Sequence, residues 1–131
     1  MGVGKWELGV GKKPFIRFED LGIWQESQRL AVDVYRVTKS FSKDEIFGIT
    51  NQLRRAVASV SANIAEGSGR LTEKDKLHFL SIAYESLLET KNFIYLAEKL
   101  VYIDTESAEK ILNKITTCQK LLNGFKRSLQ S

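Results

Sequence analysis

The sequence predicts an all-α protein, an antiparallel up-down-up-down four-helix bundle, on three observations. Apolar residues recur at three- and four-residue spacing through most of the chain, the period of a helix with one buried face. No stretch of useful length alternates with period two, and the single proline, Pro14, lies ahead of every periodic segment. The breaks between segments are short, at 40–44, 67–72 and 102–105, which makes consecutive helices antiparallel neighbours.

With 131 residues the chain is long enough for one core and too short for two. Residues 1–19 read as an N-terminal arm and 20–131 as the bundle domain. The arm repeats Gly2-Val3-Gly4-Lys5 as Gly9-Val10-Gly11-Lys12 and carries little that could be buried. The net charge of +4 is collected at the two ends, from Lys5, Lys12, Lys13 and Arg17 and from Lys110, Lys114, Lys120, Lys126 and Arg127. It forms no concentrated stripe in the sequence, and on a projected last helix the cations scatter over the solvent side. No stretch is apolar enough to span a bilayer and no secretory h-region is visible, so a cytoplasmic, membrane-free protein is expected.

The first helix is expected to run from about Asp20 to Lys39, with Leu21, Trp24, Ala31, Val34 and Tyr35 facing inward and Phe41 plugging the following turn. Ser42-Lys43-Asp44-Glu45 has the form of a capping box and is expected to open the second helix, with Glu45 reaching back to the cap. Gly67 suits the left-handed residue that ends it. Thr72 caps a third helix running to about Val101. Asp104 or Thr105 caps a fourth, buried through Ala108, Ile111, Ile115, Cys118, Leu122, Phe125 and Leu129.

Two of these helices carry more than a core face. At about 100° per residue, Ile49, Leu53, Ala56, Val60 and Ile64 line the buried side of the second, and beside them runs a polar stripe of Gln52, Arg55, Ser59, Asn63 and Glu66. Short, hydrogen-bonding side chains in such register point to packing, with Arg55 a candidate partner of Glu66 or Glu89. On the third helix Leu77, Leu80, Tyr84, Leu87, Leu88 and Ile94 suffice for a bundle. Phe79, Ile82, Phe93, Ala97 and Leu100 form a second apolar arc, leaving Lys74, His78, Ser81, Glu85, Asn92 and Lys99 for solvent. A helix apolar around so much of its circumference is buried on more than one side, which in a small bundle calls for another subunit. Phe79, Ile82, Phe93, Gln52, Ser59 and Asn63 are the candidate oligomer interface.

Catalytic chemistry is hard to assemble from this sequence. The one histidine, His78, falls on the solvent strip, and Cys118 is expected to be a buried free thiol. The acids show no ligand spacing for a metal, and Gly67 and Gly69 have neither the preceding strand nor the following Gly-Lys-Ser/Thr of a phosphate loop. The expectation is therefore no catalytic residue, no cofactor, no metal and no small-molecule substrate. Arg54, Arg55, Arg70 and Lys74 border the second helix and its turn and are the candidate nucleic-acid contacts. Basic residues among Trp6, Phe15 and Phe18 in the arm add a pattern compatible with RNA.

Trp24-Gln25, Gln52-Leu53-Arg54-Arg55-Ala56, Ser59 with Asn63-Ile64-Ala65-Glu66-Gly67 and Gly69-Arg70, and Phe79-Leu80 with Ala83, Ser86-Leu87 and Glu89 resemble the 23S rRNA intervening-sequence protein family, over about residues 18–129. The resemblance implies a small bacterial four-helix bundle that assembles as a homopentamer around an axis, and no catalytic residues. A distantly related accessory protein of diversity-generating retroelements has a similar barrel-like assembly and binds nucleic acid, so association with rRNA or another structured RNA is expected by analogy. The competing expectation is a protein-interaction scaffold with no nucleic-acid role.

Overall fold

The computed structural model of the protein describes residues 17–130, so residues 1–16 of the expected arm and Ser131 lie outside the described residues. The described residues form four helices and no strand: α1 Gly22–Thr38, α2 Ile49–Ser68, α3 Glu73–Lys99 and α4 Thr105–Leu129. Short 3-10 turns stand at Phe18–Asp20, ahead of α1, and at Lys43–Glu45, between α1 and α2. Each helix packs beside its neighbours in sequence and α1 closes on α4, while the diagonal pairs α1/α3 and α2/α4 do not meet at the backbone. That is the square section of a four-helix bundle. Its core is Leu30 and Val34 of α1, Leu53, Val57, Val60 and Ile64 of α2, Leu80, Leu87 and Ile94 of α3, and Ile115 and Leu122 of α4, all fully buried. Each such side chain contributes about 1.5–3 kcal/mol.

The buried side of α1 is Ile23, Ser27, Leu30, Val34 and Thr38, rotated from the predicted set. Tyr35, expected inward, is exposed, while Leu21, Trp24 and Ala31 pack at the margin of the core. The displacement has a polar cause. Ser27 Oγ donates to the Trp24 carbonyl at 2.9 Å and Thr38 Oγ1 to the Val34 carbonyl at 2.8 Å. Both hydroxyls are thus satisfied within their own helix and can be buried at small cost, which a reading based on apolarity does not register.

The loop after α1 also departs from expectation. Ser42 Oγ accepts from the Asp44 amide, but the turn it caps is the 3-10 turn, and α2 begins only after Ile46-Phe47-Gly48. Glu45 does not reach back to the cap. Its Oε2 instead accepts from the Tyr102 hydroxyl at 2.8 Å, a bond to the α3–α4 connection. Phe41 is buried as predicted and meets the Tyr102 ring at 5.5 Å. These contacts bring the α1–α2 and α3–α4 connections together at one end of the bundle.

Gly67 is not the left-handed terminator the sequence indicated. It is buried inside α2, which ends one residue later and is followed by Gly69 at φ −87°. A Cβ on Gly67 would stand 3.1 Å from Phe79 Cβ and 3.2 Å from the Lys76 carbonyl oxygen, so glycine is there to let α3 approach. The caps of the last two helices match the prediction: Thr72 Oγ1 accepts from the Asp75 amide at 3.0 Å, and Asp104 Oδ1 from the Ser107 amide at 2.7 Å. That backbone bond, with the Ser107 hydroxyl, holds the Asp104 carboxyl below its ordinary pKa.

Helix α3 ends in a Schellman arrangement, with the Tyr102 amide bonded to the Ala97 carbonyl at 2.9 Å and the Val101 amide to the Glu98 carbonyl at 3.0 Å. The left-handed position is filled by Val101 at φ 62°, a β-branched residue where glycine is usual. Replacing Val101 by glycine is expected to raise the melting temperature by several degrees, from relief of about 1 kcal/mol of strain. Gly67→Ala is expected to lower it, because the clash with α3 backbone, about 1–3 kcal/mol, outweighs the helix propensity gained. Gly69→Ala, whose nearest neighbours stand at 3.7 and 3.8 Å, serves as the control in the same thermal melts.

Candidate nucleic-acid interface

The four basic residues singled out from sequence do not converge. Arg54 lies in α2 and Arg70 two residues past its end, so about 21 Å of helix, from Arg54 to Ser68 at 1.5 Å per residue, stands between them. Arg54 turns toward the end of α1: Nε donates to Thr38 Oγ1 at 2.8 Å and Nη2 to the Tyr35 carbonyl at 3.4 Å, with the guanidinium 4.8 Å from the Tyr35 ring centroid. A cation there complements the negative C-terminal end of α1. Arg70 pairs with Glu66 at 2.6 Å and lies 4.4 Å over the Phe79 ring. Glu66 therefore has Arg70 as its partner, and Arg55 takes neither of the carboxylates weighed for it. Arg55 and Lys74 are exposed with no hydrogen bond or ion pair among the described residues.

The polar stripe of α2 divides in the same way. Ser59 Oγ accepts from Ser86 Oγ of α3 at 2.9 Å, and Asn63 Nδ2 donates to the Ser59 carbonyl at 2.8 Å and to Ser59 Oγ at 2.9 Å. On the opposite flank of the helix, Gln28 Nε2 of α1 donates to Ser61 Oγ at 2.9 Å. The stripe thus meets this chain's own α3 through Ser59, which Asn63 supports from within α2, while Gln52, Arg55 and Glu66 stand exposed. Phe79, Ile82 and Phe93 are half-buried, Phe93 against the core itself. Leu88, assigned to the core arc from sequence, is 46% exposed, and Tyr95, Leu96 and Leu100 are similarly open. Between Glu85 and Leu96 the exposed positions of α3 are Glu85, Leu88, Glu89, Asn92, Tyr95 and Leu96. This face is apolar and acidic.

A further cluster escaped the sequence reading. An open cleft of about 500 Å³ runs between α1 and α4, lined by Arg36, Val37, Lys110, Ile111 and Lys114 among others. A contiguous hollow of about 400 Å³ adds Gln28, Arg29 and Val32. Asp33 sits in the middle, paired with Lys114 and, at 3.8 Å, with Arg36. Arg36 and Lys110 are nearly three-quarters exposed and each has one long ion pair, Lys110 with Glu106 at 3.8 Å. The spacing of Arg29 to Arg36 and of Lys110 to Lys114 places each pair on one face of its helix, the only trace in the sequence. That the two faces meet is decided by packing.

Groups suited to chemistry are few. His78 is exposed beside the Phe79 ring at 5.3 Å. Cys118 is buried, and burial pushes its thiol up to about 11, so it is protonated and unreactive near neutral pH. Among the described residues no group of three or more His, Cys, Asp or Glu could hold a metal ion, and no helix is long and apolar enough to cross a membrane.

Residues 19–124 match the family described as 23S rRNA-intervening sequence protein. The chain belongs to that family. A solved structure of a protein of unknown function from the S23 ribosomal protein family of Bacteroides thetaiotaomicron VPI-5482 is similar to this family member, with 28% sequence identity and a TM-score of 0.74. The similarity covers 79% of this chain and 97% of that one. No curated protein matches. The matched segment of the family member takes in all of α1, α2 and α3 and all but the end of α4, so the whole four-helix unit is what the family shares.

Arg54→Ala is expected to destabilise this family member by about 1 kcal/mol or more, because Thr38 and the end of α1 lose their cationic donor. Arg55→Ala is expected to stay within about 0.5 kcal/mol of wild type. Urea melts of the two variants make the comparison.

Proposed function

We propose that the protein is a non-enzymatic, cytoplasmic four-helix bundle that self-associates, as a ring of five by analogy with its family, and that the assembly associates with structured or looped RNA. The observation that carries this reading is the outward side of α3. Leu88, Tyr95 and Leu96 of α3 and Leu100 at its C-cap are each between 41% and 46% exposed, more large apolar surface than a solitary bundle needs to leave in water. Within this reading Phe79, Ile82 and Phe93, half-buried on the flank of α3, continue the contact, and exposed Gln52 lies at its edge. Ser59, bonded to Ser86 of α3 and to Asn63 of its own helix, supports it by fixing α3 against α2.

The RNA part rests on charge. Arg55 and Lys74 project without partners, Arg54 lies toward the start of α2 and Arg70 just past its end, and a ring repeats each of them around its axis. Electrostatic association of this kind releases counterions, so affinity falls linearly on a log-log plot against salt.

Light scattering across a concentration series checks the first part, with an assembled mass a multiple of 14.9 kDa expected. For the second, a labelled 23S rRNA hairpin titrated by anisotropy is expected to lose about 10³–10⁵-fold in affinity between 50 and 200 mM salt if six to ten phosphates are engaged. Arg55→Glu with Lys74→Glu is expected to weaken binding at least tenfold, and Lys99→Glu much less. A flat salt dependence removes the RNA reading and leaves a protein-interaction scaffold.

A further inference from the structure

The cleft between α1 and α4 and the outer side of α3 have opposite characters. The cleft has an aliphatic floor of Val32, Val37 and Ile111 between cationic rims of Arg29 and Arg36 on α1 and Lys110 and Lys114 on α4. It contains one carboxylate, Asp33, already engaged by Lys114 and Arg36. The exposed positions of α3 from Glu85 to Leu96 carry two carboxylates, three apolar side chains and no cation. In a free monomer Val32 of the floor is open, with Val37 half-buried and Ile111 buried beneath it, and the outer side of α3 is open too, so each side supplies what the other lacks.

We propose that the α1/α4 cleft of one copy receives the outer side of α3 from a second copy, Leu88, Tyr95 and Leu96 lying on the Val32, Val37 and Ile111 floor while Glu85 and Glu89 meet the Arg36 and Lys110 side of the rim. This rests on the self-association proposed above and specifies it. The floor carries no aromatic ring, so it offers nothing for a nucleobase to stack on, whereas a helix ridge with carboxylates at Glu85 and Glu89 and apolar side chains at Leu88, Tyr95 and Leu96 fits an aliphatic groove with basic edges. Arg36 and Lys110 hold only long, solvent-exposed intrachain pairs, so little is lost when they turn to a new carboxylate. The two surfaces lie on different sides of the bundle, α3 touching α4 but not α1. Such a contact is head-to-tail: every copy offers one cleft and one ridge, and the chain of contacts closes as a ring or grows as a filament. An α3-to-α3 contact, by contrast, would place Glu85 and Glu89 of one copy near those of the other and stop at a dimer.

The test uses charge reversal in the full chain, followed by light scattering over a concentration series at low salt. Arg36→Glu with Lys110→Glu, and separately Glu85→Lys with Glu89→Lys, are each expected to raise the concentration at which assembly is half-complete at least tenfold. The four changes together are expected to bring it back to within about threefold of wild type. Circular dichroism melts verify that each variant is folded, and Lys43→Glu with Lys120→Glu, exposed residues that neither line the cleft nor lie on α3, is expected to assemble as wild type does. If the cleft variant assembles normally while the α3 variant dissociates, α3 meets another surface and this inference is wrong, with self-association intact. Failure of the fourfold variant to recover also overturns it. A wild-type protein that stays at 14.9 kDa throughout overturns the self-association reading itself.

Discussion

The close approach of α2 and α3 is the constraint on which the bundle rests. It is made by small residues: Gly67, whose missing Cβ leaves room for Phe79 and the Lys76 carbonyl, and Ser59 and Ser86, whose hydroxyls bond each other directly across the interface. Ala56 of α2 and Ala83 of α3 are buried along the same seam. With α3 drawn this near, its Leu80, Leu87 and Ile94 reach the centre of the bundle and the opposite side of the helix is turned outward. The exposure of Leu88, Tyr95 and Leu96 is thus a geometric consequence of the seam, because a helix of 27 residues with apolar side chains on several faces can bury only those its neighbours cover.

The polar residues of the bundle sort into those that hold it and those left for other contacts. Arg54, Ser61 and Ser59 are used at the end of α1 or between helices, and Asn63 within α2 on Ser59. Arg55 and Lys74 are not, and Arg36 and Lys110 of the α1/α4 cleft hold only long pairs, whereas Arg29 and Lys114 are closely paired with Glu26 and Asp33. A surface cation engaged by a carboxylate and an aromatic ring, as Arg70 is, is less available to a phosphate than one that projects alone, since an incoming ligand must first compete with those partners. The candidate contacts are accordingly unequal although the sequence presents them as a set.

Much of the organisation was legible before any coordinates. The four helices, the Thr72 and Asp104 caps, the buried Phe41 and the buried side of α4, apart from a half-buried Phe125, follow from local rules, spacing and a capping side chain, that do not depend on distant residues. Errors arose where a residue answered to a distant neighbour. Glu45 matches a capping box but bonds Tyr102, and Gly67 matches a helix stop but serves the α2–α3 seam. Ser27 and Thr38 look like surface residues yet are buried, because their hydroxyls are satisfied by their own helix.

What the sequence determined by itself is the helical class, the approximate limits of the helices and the family, since periodicity, caps and the Asn63-to-Gly67 motif are written in consecutive residues. Tertiary structure alone decided which polar groups are consumed inside the fold and which surfaces face outward together. The cleft cations Arg29, Arg36, Lys110 and Lys114 come from helices more than seventy residues apart in the chain, and the rotation of each helix about its own axis sets whether they meet. That rotation is the joint result of packing against two neighbours at once, a balance of contacts that no window along one helix contains.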